Sequence, residues 1–151
     1  MNNKQLLKLS ALLTKRQEKI ESLNNFGEYF EKFSYSTLKK VVSIINDKLE
    51  AFSNEGLRIF YDNPYENKRT RNFVMVQLIS SSYRRNVFLL DNTMSFPSLL
   101  FEGDEFTGRV KATTSFESKL NQSVEYEIIR LTDEDYVSDI VLDFLDTIYS
   151  L

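Results

Sequence analysis

Apolar residues fill the middle of the chain, residues 71–92, in two short runs that predict β-strands joined by a polar turn. Side chains alternate with a period of two along a strand, so each run presents two faces. The first run is apolar on both faces: Phe73, Met75 and Ile79 on one, Val74, Val76 and Leu78 on the other. Only Gln77 interrupts it, and the second run, residues 87–90, is apolar throughout. The pattern predicts a central hairpin that needs cover on both faces.

A helical period marks the N-terminal part of the chain. Four apolar residues of segment 3–24 share one helix face, the leucine stripe: Leu6, Leu9, Leu13 and Ile20. Four lysines share the opposite face, the lysine stripe: Lys4, Lys8, Lys15 and Lys19. A break is predicted at Asn24, Asn25 and Gly27, and a second apolar stripe then continues to Phe52. Two packed helices are the simplest arrangement, and one long bent helix is the alternative.

The C-terminal segment predicts a third helix, beginning at Thr132 as N-cap. Acidic residues follow in the first turn, where the helix dipole favours them. Its apolar residues recur at helical spacing: Val137, Ile140, Val141, Phe144, Leu145 and Ile148. Its other face carries an aspartate stripe: Asp135, Asp139, Asp143 and Asp146. Residues 131–151 contain no basic side chain.

Charge and packing together predict one strand pairing, between residues 106–112 and 124–130. In an antiparallel register that places Arg109 opposite Glu127 and Val110 opposite Tyr126, one face pairs opposite charges and the other pairs apolar groups. A slip of one residue would lose both. Residues 113–123 would then form a long surface loop, and further strands are predicted at 57–61 and 99–101.

These elements predict one α+β domain over residues 1–151. Residues 1–53 are helical, 57–131 are mainly β, and 132–150 form the last helix. The sheet is antiparallel, with about five or six strands. A chain of 151 residues buries about 70% of its unfolded surface, which suffices for a core without disulfides.

The composition excludes several common kinds of catalytic site. The chain has no Cys and no His, so it has no thiol nucleophile, no thiolate metal site and no imidazole base. Its four glycines form no phosphate-binding loop. A Ser-x-x-Lys spacing at Ser36 and Lys39 lacks companion motifs. Loop carboxylates at Asp91, Glu102, Asp104 and Glu105 are interpreted as solvated turns. We therefore expect no enzyme activity, no cofactor and no metal.

The N-terminus does not resemble a signal peptide, because Lys8 interrupts the apolar run at residues 6–13. No window approaches the roughly 18 apolar residues that a membrane span requires. The prediction is a cytoplasmic protein without a membrane span.

Two functions remain from different classes. The first is a non-enzymatic protein-interaction module, an adaptor or an inhibitor of an unidentified partner protein, that works as a homodimer. Its surfaces would be the central hairpin or the N-terminal helix, where Leu7 and Leu12 lie off the leucine stripe. The lysine and aspartate stripes would complement each other within or between subunits.

The alternative is binding of nucleic acid, despite a net charge of −3. The lysine stripe and a basic loop would contact phosphates, and a tyrosine would stack on bases. The loop and turn residues concerned are Lys68, Arg69, Arg71, Tyr83, Arg84 and Arg85.

Overall fold

The computed structural model describes residues 1–62, 72–80, 96–117 and 120–151. It confirms the α+β class, with helices before and after an antiparallel sheet in the order of the chain. The helices are α1 (Asn3–Asn24), α2 (Phe26–Lys32), α3 (Leu38–Phe52) and α4 (Glu134–Tyr149). The strands are β1 (Glu55–Phe60), β2 (Phe73–Ser80), β3 (Ser98–Asp104), β4 (Arg109–Phe116) and β5 (Leu120–Glu127).

The predicted break after α1 is present at Asn25, but the following helix continues through a weak stretch. Residues 34–37, with the sequence Ser-Tyr-Ser-Thr, are poor helix formers. Together with Phe33 they form one turn of π-helix that joins α2 directly to α3. The Ser34 hydroxyl donates to the Phe30 carbonyl at 2.8 Å, which satisfies a buried polar group inside the turn. Residues 26–52 therefore form one continuous helical segment.

Strand β2 occupies the interior of a five-stranded sheet in the order β1-β2-β3-β4-β5. It pairs with β1 along one edge and with β3 along the other. The predicted hairpin partner at residues 87–90 lies outside the described residues. The apolar pattern identified the strand correctly but not its partners, because alternation carries no information on which strand pairs with which.

The register of β4 and β5 is the one predicted. Arg109 lies opposite Glu127, and Val110 lies opposite Tyr126. The predicted surface loop at 113–123 is wrong, because both strands continue to the pair of Phe116 with Leu120. The continuation contains β-branched threonines and hydroxyl groups that bond across the ladder, with Thr113 Oγ1 3.0 Å from the Ser123 Oγ.

The main core lies between one face of the sheet and the helices. The buried side chains Val74, Val76 and Leu78 of β2 pack there with residues of α2, α3 and α4. The opposite face of β2 is buried as well, with Phe73, Met75 and Ile79 exposed by 6%, 1% and 4%. The predicted need for cover on both faces of this strand is therefore met within one chain.

Gln77, the polar residue in β2, is also buried. Its Nε2 donates to the hydroxyl of Ser98 at 3.1 Å, across the strand pair that places the two residues opposite each other. The exception in the apolar pattern is thus a buried cross-strand hydrogen bond.

Helix α4 begins one residue later than predicted. Asp133 rather than Thr132 is the N-cap, and its side chain accepts from the backbone N–H of Asp135. Thr132 ends a 3₁₀ turn (Ile128–Thr132) that follows β5. Both residue types cap helices well, so sequence could not distinguish two adjacent candidates.

Candidate interaction surface on the N-terminal helix

Helix α1 is a long helix with little cover. It has 22 residues, a length of about 33 Å. Its first turn closes with a capping box, in which Asn2 and Gln5 each bond the other's backbone N–H. Every residue from 1 to 17 is exposed. The helix is well formed locally, although most of its length does not contact the core.

The C-terminal third of α1 is held to the domain by charge. Lys19 Nζ lies 2.9 Å from Glu127 Oε1 and also donates to the carbonyl of Thr107. Arg130 Nη2 lies 3.2 Å from Glu18 Oε2. Arg109 shares Glu127 with Lys19, at 3.3 Å. We call these five side chains the anchor: Glu18, Lys19, Arg109, Glu127 and Arg130.

The turn before β4 allows close approach of the helix to the sheet. Gly108 has φ +71°, a backbone conformation that favours glycine. A Cβ at this position would lie 3.0 Å from the Cβ of Ser22, the one residue of α1 that is fully buried. The helix therefore contacts the domain at a single short stretch.

The orientation of α1 differs from the simplest prediction. The leucine stripe was expected to pack on the second helix, but its side chains are exposed: Leu6 by 48%, Leu9 by 42%, Leu13 by 61% and Ile20 by 36%. Leu7 and Leu12 are exposed as well. Lys19, of the lysine stripe, faces the domain instead. Sequence periodicity defines the two faces of a helix, but it does not say which face the domain uses.

The lysine and aspartate stripes do not meet within the chain. In the parts of the chain that the structure describes, the ion pairs of α1 reach only Glu127 and Arg130. The ion pair of α4 joins Glu134 to Lys40 at 3.4 Å. Complementation within one chain is thus absent from the described contacts.

The aspartate stripe lies on the outer face of α4, as predicted. Asp135, Asp139, Asp143 and Asp146 are exposed, whereas Val137, Ile140, Val141, Phe144 and Leu145 are buried. Two apolar side chains interrupt this acidic face, Leu142 (51% exposed) and Tyr149 (52% exposed). The face therefore combines negative charge with uncovered apolar surface.

Two tyrosines at or beside this helix have raised pKa values, Tyr149 at its last position and Tyr126 in β5. Burial raises the pKa of the Tyr149 phenol above its usual value, and the nearby Glu55 carboxylate raises it further. Burial likewise raises the pKa of Tyr126, with smaller contributions from Tyr136 and Asp143. Both phenols therefore remain neutral at physiological pH.

Two other surfaces were predicted, the faces of the central strand and the basic loop and turn. The faces of β2 are buried and offer no docking surface. The basic loop and turn residues lie outside the described residues: Lys68, Arg69, Arg71, Tyr83, Arg84 and Arg85.

Two clefts adjoin the helical layer. A charged cleft of about 450 Å³ lies between α1 and the end of the sheet, and its basic lining residues are Lys15, Lys19, Arg109 and Arg130. A second cleft of similar volume contains Tyr35, Ser36, Lys39 and Ile44. Among the described residues no hydrogen bond joins Ser36 to Lys39.

No group of three or more carboxylates in the described ranges is placed to hold a metal ion. Within the same ranges no helix combines the length and hydrophobicity needed to cross a membrane. The chain matches no family model, no curated protein and no solved structure. The candidate surface therefore rests on the geometry of α1 alone.

Proposed function

We propose that this chain is a non-enzymatic protein-interaction module that works as a homodimer through α1. One observation carries the proposal: residues 3–17 of α1 are helical and carry five exposed leucines that the domain itself does not cover. Contiguous apolar surface rimmed by polar residues is typical of protein interaction sites. An adaptor or inhibitor would use this surface to contact its partner.

The expected affinity is moderate. Burying a leucine side chain completely contributes about 1.5–3 kcal/mol, so covering the exposed half of each contributes about 1 kcal/mol. Association itself costs about 4–15 kcal/mol in lost translational and rotational freedom. The five leucines together contribute about 5 kcal/mol, close to the lower end of this cost, so a stable dimer also needs favourable contacts from the surface that receives α1.

Light scattering at tens of micromolar protein tests the proposal. The wild-type chain should show a mass of roughly twice 17.7 kDa. The double variant Leu9→Glu, Leu13→Glu should be monomeric, because it places two charges in the leucine stripe. Ile44→Glu is the matched control, since Ile44 is an exposed apolar residue of α3, and it should leave the mass unchanged. A wild-type monomer, or a dimer that survives the double variant, would contradict the proposal.

A second candidate, nucleic-acid binding, is supported by the charged cleft. Four cationic side chains converge there against two carboxylates, Glu18 and Glu127. Phosphate contacts release counterions, so affinity for a labelled oligonucleotide should fall steeply between about 50 and 200 mM salt. Fluorescence anisotropy measures this directly. Absence of binding at the lower salt concentration would remove this candidate.

A further inference from the structure

The leucine stripe lies on the side of α1 that faces away from the described part of the domain. Ser22 is buried against the domain and Lys19 bonds Glu127, and at about 100° per residue both lie on the face opposite the leucines. The exposed lysines lie on that opposite face as well: Lys4, Lys8 and Lys15. A partner that covers the leucines therefore approaches α1 from the side away from both the domain and the lysine stripe.

The stripe has the seven-residue period of a coiled-coil contact. Leu6, Leu13 and Ile20 are seven residues apart, and a second series at the same period begins three residues later. These two series occupy the a and d positions of a heptad. We call the six side chains the seam: Leu6, Leu9, Leu13, Arg16, Ile20 and Leu23. The 22 residues of α1 contain three such repeats, a length at which a sustained pattern of this kind indicates a coiled coil.

A second seam is the best match for the first in apolar surface. Sixteen large apolar side chains are exposed in the described part of the chain, and seven of them belong to α1. No other described element has more than two. The α1 helix of a second copy therefore offers the longest apolar row that the described chain contains. Pairing two seams buries the leucines of both copies and so supplies the additional contacts that a stable dimer needs.

The borders of the seam do not oppose this pairing. Among the residues at the flanking e and g positions, only Lys19 is charged, and its ammonium lies 2.9 Å from Glu127 Oε1. The other flanking residues are neutral: Asn3, Gln5, Ser10, Leu12, Gln17 and Asn24. Two seams can therefore meet without placing like charges along their edges.

Arg16, the one charged member of the seam, determines the orientation. Parallel pairing places each d residue against its own counterpart, so two Arg16 side chains would meet, which is unfavourable. Antiparallel pairing places a residues against d residues. When Arg16 lies opposite Leu6 of the second copy, the two Arg16 residues are about 15 Å apart along the helices. In the same register Leu9 lies opposite Leu13, and the exposed Leu12 meets its own counterpart.

We infer that α1 pairs antiparallel with α1 of a second copy through the seam, with Arg16 of each copy opposite Leu6 of the other. The inference rests on the proposed self-association and adds the receiving surface, the orientation and the register. A two-fold axis passes near Ala11, so the contact is closed and self-complementary. The leucines at residues 9, 12 and 13 of both copies form its centre.

Cysteine cross-linking tests the register, because the chain contains no Cys and an introduced thiol is unique. Leu6→Cys and Arg16→Cys are treated with a short bismaleimide, each alone and as an equimolar mixture. The mixture should give a covalent dimer on a denaturing gel. Each variant alone should give little, because its two thiols are about 15 Å apart along the helices. Lys8→Cys mixed with Arg16→Cys is the matched control and should not cross-link, since Lys8 is exposed on the opposite face.

The affinity of the dimer tests the place of Arg16 in the contact. Arg16→Leu should lower the dissociation constant by about tenfold in sedimentation equilibrium, because it replaces a charge in the seam with an apolar side chain. Lys8→Leu makes the same kind of change on the opposite face and should leave the constant within about threefold of wild type. Equal effects of the two variants would place Arg16 outside the contact and overturn the inference.

The cross-linking outcomes separate the inference from the function on which it rests. Efficient cross-linking of each variant alone would indicate a parallel pair and overturn the inference. If no mixture cross-links although Leu9→Glu, Leu13→Glu abolishes the dimer, α1 docks on a different surface of the second copy. The inference then fails and the proposed function stands. A wild-type chain that stays monomeric, including one that binds vesicles of anionic lipid through α1 instead, would contradict both.

Discussion

Helices α1 and α4 have the same kind of sequence pattern but opposite relations to the core. Both carry an apolar stripe on one face and a stripe of one charge on the other. In α4 the apolar stripe is buried and the aspartates are exposed. In α1 the leucine stripe is exposed, and the helix is attached through Lys19, Glu18 and the small buried Ser22.

The comparison shows that an amphipathic sequence is compatible with two different structural roles. A periodic apolar stripe says that a helix will bury that face against something, but not that the covering surface belongs to the same chain. For α4 the covering surface is the sheet with α2 and α3. For α1 the described residues provide none, so the stripe is interpreted as an interface rather than as core.

The largest expected effect comes from truncating the core stripe. Phe144 of α4 is 2% exposed, and Phe144→Ala should lower the free energy of unfolding by about 3–5 kcal/mol, because it removes buried surface and leaves a cavity. Leu13→Ala in α1 should change it by less than about 0.5 kcal/mol at protein concentrations where the chain is monomeric. Urea denaturation measures both. Similar losses of unfolding free energy at the two positions would contradict the account, because they would mean that the apolar stripe of α1 is buried as that of α4 is.

Sequence reasoning succeeded where two independent signals agreed. The β4–β5 register was predicted because charge pairs on one face and apolar pairs on the other fixed the same alignment. The α4 orientation followed from an apolar set and an acidic set that do not overlap. Both signals are local to one element or one strand pair.

Predictions failed where one signal had to decide a long-range question. The partners of β2 are β1 and β3, a matter of topology that alternation does not encode. Residues 113–123 were too polar to suggest strands, although polar side chains are normal on the solvent side of a ladder. The exposure of the leucine stripe depends on which face of α1 contacts the domain. The ion pairs of the anchor determine that face. No sequence periodicity reports on such pairs, because Lys19 and Glu127 are far apart in the chain.

A smaller effect on the free energy of unfolding is expected at the anchor. These ion pairs attach α1 to the domain, whereas α4 is held by its buried apolar stripe. Arg109→Glu places a carboxylate beside Glu125 and Glu127 and should cost about 1 kcal/mol, since these side chains are partly solvated. Adding Glu127→Arg should recover only part of this loss, because the new arginine would face Lys19. A double-mutant cycle in urea gives the coupling. Additive effects of the two changes would contradict the contact.

The smallest effect on folding is expected at the aspartate stripe. Asp139→Asn and Asp143→Asn should each change the free energy of unfolding by less than about 0.5 kcal/mol, because both side chains are exposed. Thermal denaturation of each variant measures this change. A large loss of stability would mean that this face of α4 is part of the packed fold rather than solvated surface.

Hydrogen exchange of α1 as a function of protein concentration tests the central claim most directly. An isolated helical segment with little tertiary cover opens readily, and burying its apolar face slows that opening. We expect the amides of residues 7–17 to become more protected as concentration rises from about one to one hundred micromolar, while those of the buried strand β2 stay unchanged. Protection of α1 that does not change across this range would show that the leucines remain in water and that α1 is not the interaction surface.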